Sequence, residues 1–266
     1  MAEKKTHNIV QTESTGAKPQ VVQTKPAGNA TGYRVGAIVL WLLAIVCEVL
    51  AVLYLFGKLE ITFLPTLWVL IILIVLDLAF VIIGSQLWKK ANHIKPASKK
   101  NPTLFWLWNN MGVIVACFAF IPLIILMLTN KDLDKKTKTI AVIAAIVALL
   151  IGGAASVDYN PISQEEQAAA VDTIEGNVYW TQFGKVYHTH EDCPHLNNSD
   201  TLYTNNVSEA IAAGRTRLCK TCAAKDSVEV DENGFVVAKD DATPVEDGDE
   251  VSDTADTADD GVKSLD

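Results

Sequence analysis

The residues best suited to chemistry are cysteines and histidines gathered near the C-terminal end of the chain. His188 and Cys193 come first, and Cys219 and Cys222 follow in a Cys-Lys-Thr-Cys motif. Two cysteines separated by two residues can place both sulfur atoms on one tetrahedral ion, because the turn between them brings the sulfurs to one side. A third sulfur and an imidazole would complete the coordination sphere, and Zn²⁺ suits such a ligand set.

Several histidines could supply the imidazole. On an extended strand, His188 and His190 share one face, so both can approach a metal held by Cys193. His195 follows a proline, where the chain turns away from that strand. A disulfide between Cys219 and Cys222 is the alternative to a metal site, and it requires an oxidising compartment.

The surrounding elements predict a small α+β module. Residues 178–181 and 185–188 are β-prone runs joined by a short turn, and residues 201–204 form a third strand. A helix is predicted over 207–213, because Glu209 stands at the capping-box position. A module this short lies below the roughly 60 residues at which a core becomes self-sufficient, so a stabilising metal is expected.

The module carries a set of short motifs that resemble one known family. They are Val-Tyr-Trp-Thr at 178–181, Gly-Lys-Val-Tyr-His at 184–188, Cys-Pro-His-Leu at 193–196, Glu-Ala-Ile-Ala-Ala-Gly-Arg at 209–215 and Cys-Lys-Thr-Cys at 219–222. Together they resemble the metal-binding domain of Ada-type DNA alkylation repair proteins, and the small relatives of that domain that are appended to bacterial nucleases and membrane proteins.

This resemblance covers residues 177–224 and none of the remainder. In the Ada-type domain four cysteines bind zinc, and one of them accepts a methyl group from a DNA phosphotriester. His188 stands at the position of that acceptor, and Cys193, Cys219 and Cys222 match the other three ligands. The gap between the first two ligands is one residue longer here than in the Ada-type domain. An imidazole cannot carry out zinc-thiolate methyl transfer, so the resemblance implies a zinc fold rather than the repair activity.

We therefore predict a structural Zn²⁺ held by His188, Cys193, Cys219 and Cys222. His190 is the next candidate for the fourth ligand, and His195 the last. The two remaining cysteines, Cys47 and Cys117, lie in apolar stretches and are interpreted as small apolar side chains.

Long apolar stretches dominate the region from 34 to 157. Each is sufficient to cross a hydrocarbon layer about 30 Å thick. The fourth is richer in Ala and Gly and weaker on an insertion scale. The stretches are residues 35–56, 61–88, 103–129 and 139–157. The predicted fold is an α-helical integral membrane protein with four transmembrane helices, a small α+β zinc-binding C-terminal domain and disordered termini.

Orientation follows from the lysines and arginines of the short loops. The side of the N terminus carries eight: Lys18, Lys25, Arg34, Lys89, Lys90, Lys95, Lys99 and Lys100. The opposite side carries five: Lys58, Lys131, Lys135, Lys136 and Lys138. This bias favours a cytoplasmic N terminus, and four crossings then make the C-terminal domain cytoplasmic as well. If the fourth stretch does not insert, the domain lies outside.

Two carboxyl groups fall inside the predicted spans, Glu48 in the first and Asp77 in the second. Such groups are costly in hydrocarbon and usually face the interior of a bundle. One interpretation is a path for protons or cations. The interpretation we favour is a protonated carboxyl that hydrogen-bonds between helices and stabilises their packing.

The segments outside the spans and the module are polar. Residues 1–33 are predicted to be disordered, 158–176 to be a linker with a short helix over 164–171, and 226–240 to be a β-hairpin built on Asn-Gly. Residues 241–266 form an acidic, disordered tail. From Asp226 onward there are 15 acidic residues against two lysines, a balance that repels nucleic acid.

These observations favour a non-catalytic membrane protein that presents a zinc-binding module, over 177–225, to an unknown protein partner for interaction or sensing. The bilayer is its other expected partner. An enzyme would need an open metal position and a base, for which Glu191 and Asp192 are nearest. A transporter would use Glu48 and Asp77. The nearly balanced charge of the module does not favour nucleic acid, although Arg215, Arg217 and Lys220 leave a local contact as an alternative.

Overall fold

The computed structural model describes residues 19–238, and its first half is a bundle of helices. The predicted tail over 241–266 lies outside this range. Four helices are long and apolar enough to cross a membrane, as the four apolar stretches predicted. The helices of this half are α1 (Ala30–Leu55), α2 (Thr66–Ile94), α3 (Pro102–Asn109), α4 (Met111–Thr129) and α5 (Lys135–Ser156).

Small residues allow these helices to pack closely. Ala37, Ala44 and Ala51 lie seven residues apart on α1 and are fully buried, as expected for a left-handed helix pair. On α2, a Cβ added at Gly84 would lie 2.6 Å from the Trp41 ring of α1. Glycine at this position therefore lets the two backbones approach.

The third apolar stretch is not one helix, in contrast to the prediction over 103–129. It breaks at Asn110, between α3 and α4. The Asn109 and Asn110 side chains donate to helix carbonyls four residues earlier, at 3.0 and 2.8 Å, and such side-chain bonds compete with the helical pattern. The Trp88 ring nitrogen donates to the Trp108 carbonyl at 2.9 Å and satisfies a group near the break.

The second half is the α+β module. One sheet has the order β1 (Gln20–Gln23), β4 (Thr201–Asn205), β2 (Val178–Trp180), with β1 parallel and β2 antiparallel to β4. A second, parallel pair joins β3 (Val186–Tyr187) to β5 (Arg217–Leu218). The helices of this half are α6 (Gln164–Thr173), a 3-10 turn (Pro194–Leu196), α7 (Val207–Ala212) and α8 (Lys220–Asp226).

Residues 1–18 of the predicted disordered segment, 1–33, lie outside the described range, but the later residues of that segment are ordered. Residues 20–23 form β1, although none of their side chains is buried. The strand is held through its backbone: Gln20 N donates to Asp200 O at 2.9 Å and Thr24 N to Thr204 O at 3.0 Å. Because these bonds need no apolar side chains, the sequence pattern did not indicate a strand.

The segment over 158–176 packs as part of the module rather than as a free linker. Ser163 and Glu166 form a capping box at the start of α6. Ile162 and Ile174, at either end of this helix, are buried in the same core as Trp180 and Tyr187. The module therefore begins before residue 177.

Within the described part of the predicted β-hairpin over 226–240, up to residue 238, strand pairing is limited to one antiparallel bridge, between Val230 and Val236. The Asp231 carboxylate accepts hydrogen bonds from two backbone amides of the turn, and Gly234 has a φ of +90°. Helix α8 extends to Asp226 and takes the residues that a longer first strand would need.

The module contacts the end of the bundle where α1 begins and α2 ends. Helix α7 packs against α2, and His93 Nε2 of α2 lies 2.9 Å from Asp158 Oδ2, just beyond α5. Glu209 of α7 accepts a hydrogen bond from the backbone of Ala27 rather than closing the predicted capping box. Residues 19–29, the α2–α3 loop and the module therefore lie at one end of the bundle, as expected for an even number of long helices.

Candidate metal centre

Two short segments of the chain, 188–193 and 219–222, bring four ligand side chains to one point. His188 follows the end of β3, Cys193 precedes the 3-10 turn, Cys219 follows β5, and Cys222 lies in the first turn of α8. Their ligand atoms all lie within 4.8 Å of one another, and every one of the four residues is buried. These are the four residues that the sequence analysis singled out, and the group could hold a metal ion.

The spacing of the ligand atoms suits a tetrahedral ion. Cys193 Sγ and Cys219 Sγ are 4.0 Å apart, and Cys222 Sγ lies 3.8 Å from His188 Nδ1. Zinc–sulfur bonds of about 2.3 Å place two sulfurs of a tetrahedron about 3.8 Å apart. All five cysteines are free, so the alternative of a Cys219–Cys222 disulfide is not met.

Backbone hydrogen bonds hold the ligand loops in place. His188 and Tyr179 exchange two bonds of 2.7 Å across the β2–β3 hairpin. Cys219 N donates to Tyr187 O at 2.9 Å, which joins the Cys-Lys-Thr-Cys motif at 219–222 to β3. Since β3 carries His188 and is bonded to Cys219, the two halves of the site are fixed relative to each other.

Burial shapes the protonation of the ligands. It lowers the pKa of His188 to about 4, with a smaller contribution from the neighbouring His195, so the imidazole is neutral and able to coordinate. Burial also raises the pKa of Cys193 to about 12, to which the neighbouring thiols contribute. A bound cation would reverse this effect, because a coordinated thiol loses its proton.

The other two histidines are engaged elsewhere. His190 Nε2 lies 2.5 Å from Asp226 Oδ1 at the end of α8. His195 Nε2 lies 3.1 Å from Thr221 Oγ1 and is exposed. Neither belongs to the ligand group, so the structure places His188, and not these alternatives, beside the three thiols.

The candidate bases for an enzyme are exposed, in contrast to the four buried residues of the cluster. Glu191 and Asp192 are exposed, and Asp192 lies 3.5 Å from Lys225. Neither carboxylate is part of the four-residue group.

The three basic residues considered for nucleic acid have acceptors within the protein. Arg215 donates to the carbonyls of Thr181 and Gln182, and this ties it to the β2–β3 turn. Arg217 donates to Asn160 at 2.9 Å, and Lys220 to the Glu232 carbonyl at 3.1 Å.

A surface pocket of about 530 Å³ adjoins the cluster, and sequence reasoning missed it. His188 and Cys219 form part of its wall, with His195, Lys220 and the Asn233–Gly234 turn. The pocket depends on that turn packing back over β5, where Leu218 N donates to Gly234 O at 2.9 Å. Only the Asn-Gly signal of the turn itself was visible in the sequence.

Comparison with models of protein families, with curated proteins and with solved structures found no match. The resemblance to the Ada-type domain therefore rests on the short motifs in the sequence. What the structure adds is a buried His/Cys₃ group able to bind a metal ion, beside four helices long and apolar enough to span a membrane.

Proposed function

We propose that this chain is an integral membrane protein that presents a small, zinc-stabilised module for interaction or sensing and has no catalytic role. The observation that carries the proposal is the convergence of His188, Cys193, Cys219 and Cys222, all buried, from two segments of the chain. Such closed sets of soft ligands are typical of structural zinc sites.

Zinc is favoured over other ions by the chemistry of the donors. Three thiols and one imidazole form a borderline-soft set, which Zn²⁺ binds with tetrahedral geometry. Hard cations such as Ca²⁺ and Mg²⁺ prefer oxygen ligands, and none belongs to this group. A closed tetrahedral set leaves no position for an activated water, which supports a structural rather than a catalytic ion.

We place the module and the N terminus on the cytoplasmic side of the cell membrane. The excess of lysine and arginine on this side, eight against five, supports that orientation. A reducing compartment also suits a site built from three free thiols.

We propose a protein as the soluble partner of the module. The charges of the module nearly cancel, which does not favour a nucleic acid. The intramolecular contacts of Arg215, Arg217 and Lys220 further weaken the nucleic-acid alternative.

Elemental analysis of the purified full-length protein tests the proposal. We expect one zinc per chain in the wild type. Cys219→Ser or Cys222→Ser should abolish binding, since each removes a ligand, whereas Cys47→Ser and Cys117→Ser should keep one zinc per chain. Zinc lost from the Cys47→Ser variant, or retained in both ligand variants, would contradict the assignment.

A further inference from the structure

A groove on the outer surface of the bundle lies between α1 and α4. Its volume is about 480 Å³, within the range of about 300–1,000 Å³ typical of small-molecule sites. Helix α1 contributes Trp41, Ala44 and Glu48, and α4 contributes Phe118 and Ala119. The groove is far from the metal centre along the chain; a role for it rests on the proposed insertion in a membrane and not on the metal.

The lining is apolar except for one carboxylate. Ala44 and Ala119 are buried, and their small side chains leave room at the bottom of the groove, while Phe118 is 74% exposed. Glu48 is the single charged residue of the lining, which contains no lysine or arginine. Within residues 19–238, no hydrogen bond or ion pair engages the Glu48 side chain.

A second carboxyl lies deeper in the bundle. Asp77 is 1% exposed, and neither of its oxygens has a hydrogen-bond partner in the described part of the chain. The interhelical hydrogen bond favoured by the sequence analysis is therefore not met at Asp77. Asp77 lies close enough to Glu48 for the two carboxyl groups to interact, and no ion pair in the described part of the chain engages either of them.

Because Glu48 has no partner of opposite charge in the groove, we propose that the groove between α1 and α4 binds an amphipathic cation that enters from the bilayer. The apolar body packs against Trp41 and Phe118, and the positive charge lies at Glu48. Aromatic faces attract cations in addition to providing apolar contact. A neutral acyl chain would fill the same walls but leave Glu48 without a partner.

The test uses two hydrophobic ions of matched shape and opposite charge. Full-length protein in nanodiscs of zwitterionic lipid is dialysed against tetraphenylphosphonium or tetraphenylborate. We expect saturable binding of the cation alone, at one per chain. Glu48→Gln should weaken cation binding at least about tenfold, because it removes the charge in a medium of low dielectric. Glu60→Gln, in the exposed α1–α2 loop, is the matched control and should leave binding unchanged.

A second variant keeps the test informative if Glu48→Gln disturbs the bundle. Ala119→Leu should fill the groove and abolish cation binding, while zinc content and monomer yield report on folding in every variant. Equal cation affinity in wild type and Glu48→Gln, or equal binding of the anion, would overturn the proposal. A Glu48→Gln variant that changed only the oligomeric state would also overturn it, because the carboxyl would then face a second copy of the chain.

Discussion

At the scale of single residues, the fourth ligand distinguishes this site from a site of four thiols. Strand alternation allows both His188 and His190 to face the metal. In the structure β3 ends at Tyr187, and His190 turns toward Asp226 instead. Which histidine faces the metal depends on where the two-residue strand β3 ends and on the carboxylate of Asp226, 36 residues away in the chain. Neither can be predicted from the local sequence pattern around the histidines.

We predict that His188→Ala weakens zinc binding by at least the 10–100-fold loss typical of residues that only support a ligand. His190→Ala and His195→Ala should change the affinity far less, because their ring nitrogens bond Asp226 and Thr221. Competition with a chromophoric chelator measures all three on the full-length protein. Tolerance at His188 together with loss at His190 would move the ligand two residues along.

At the scale of elements, β1 ties the start of the chain to the module. We predict that Thr24→Pro, which removes the amide that donates to Thr204 O at 3.0 Å, frees the edge of β4. Loss of this hydrogen bond should lower the stability of the strand pairing by about 1 kcal/mol. Hydrogen exchange read by mass spectrometry should speed up over 201–205.

Thr24→Ala is the matched control, since it keeps the backbone amide. It should leave exchange over 201–205 near the wild-type rate, and neither variant should lose zinc. If both variants exchanged alike, β1 would not protect the edge of the sheet.

Helix α6 sets the boundary of the module. Ile174 is 7% exposed and packs in the core with Trp180, so Ile174→Ala should lower the free energy of unfolding by about 2–5 kcal/mol.

We expect a fragment over 158–238 to give dispersed amide NMR signals with zinc and to lose them with chelator, because metal binding and folding are coupled in small domains. A fragment over 177–225 lacks α6 and should fold less stably. Dispersion retained after chelation would refute the coupling.

The sequence predicted elements where side chains carry a periodic or capping signal. The four long apolar helices, the strand over 201–204 and the helix predicted over 207–213 are found at those places in the structure. The strand β1 has four exposed side chains, and α6 packs through the small Ala169 and Ala170. The sequence pattern therefore did not indicate that either element packs against the module. The break at Asn110 was missed because the residues on both sides are apolar and favour one long helix.

At the scale of the whole molecule, the module and residues 19–29 lie at one end of the bundle, so the proposed topology places both on the same side of the membrane. We predict that a cysteine placed at Ser264 resists a membrane-impermeant thiol reagent in intact cells and reacts after lysis. A cysteine placed at Glu60, in the loop at the opposite end of α1, should show the reverse. Labelling of Ser264→Cys without lysis would place the module outside and remove the argument from a reducing compartment.

The most direct test of the central claim is X-ray absorption at the zinc edge on the full-length protein. A closed Cys₃His site predicts three sulfur neighbours at about 2.3 Å and one nitrogen at about 2.0 Å. His188→Ala should lose the nitrogen component, while His190→Ala should keep it. A shell dominated by oxygen and nitrogen, or a water oxygen in place of the imidazole, would contradict a structural ion held by His188, Cys193, Cys219 and Cys222.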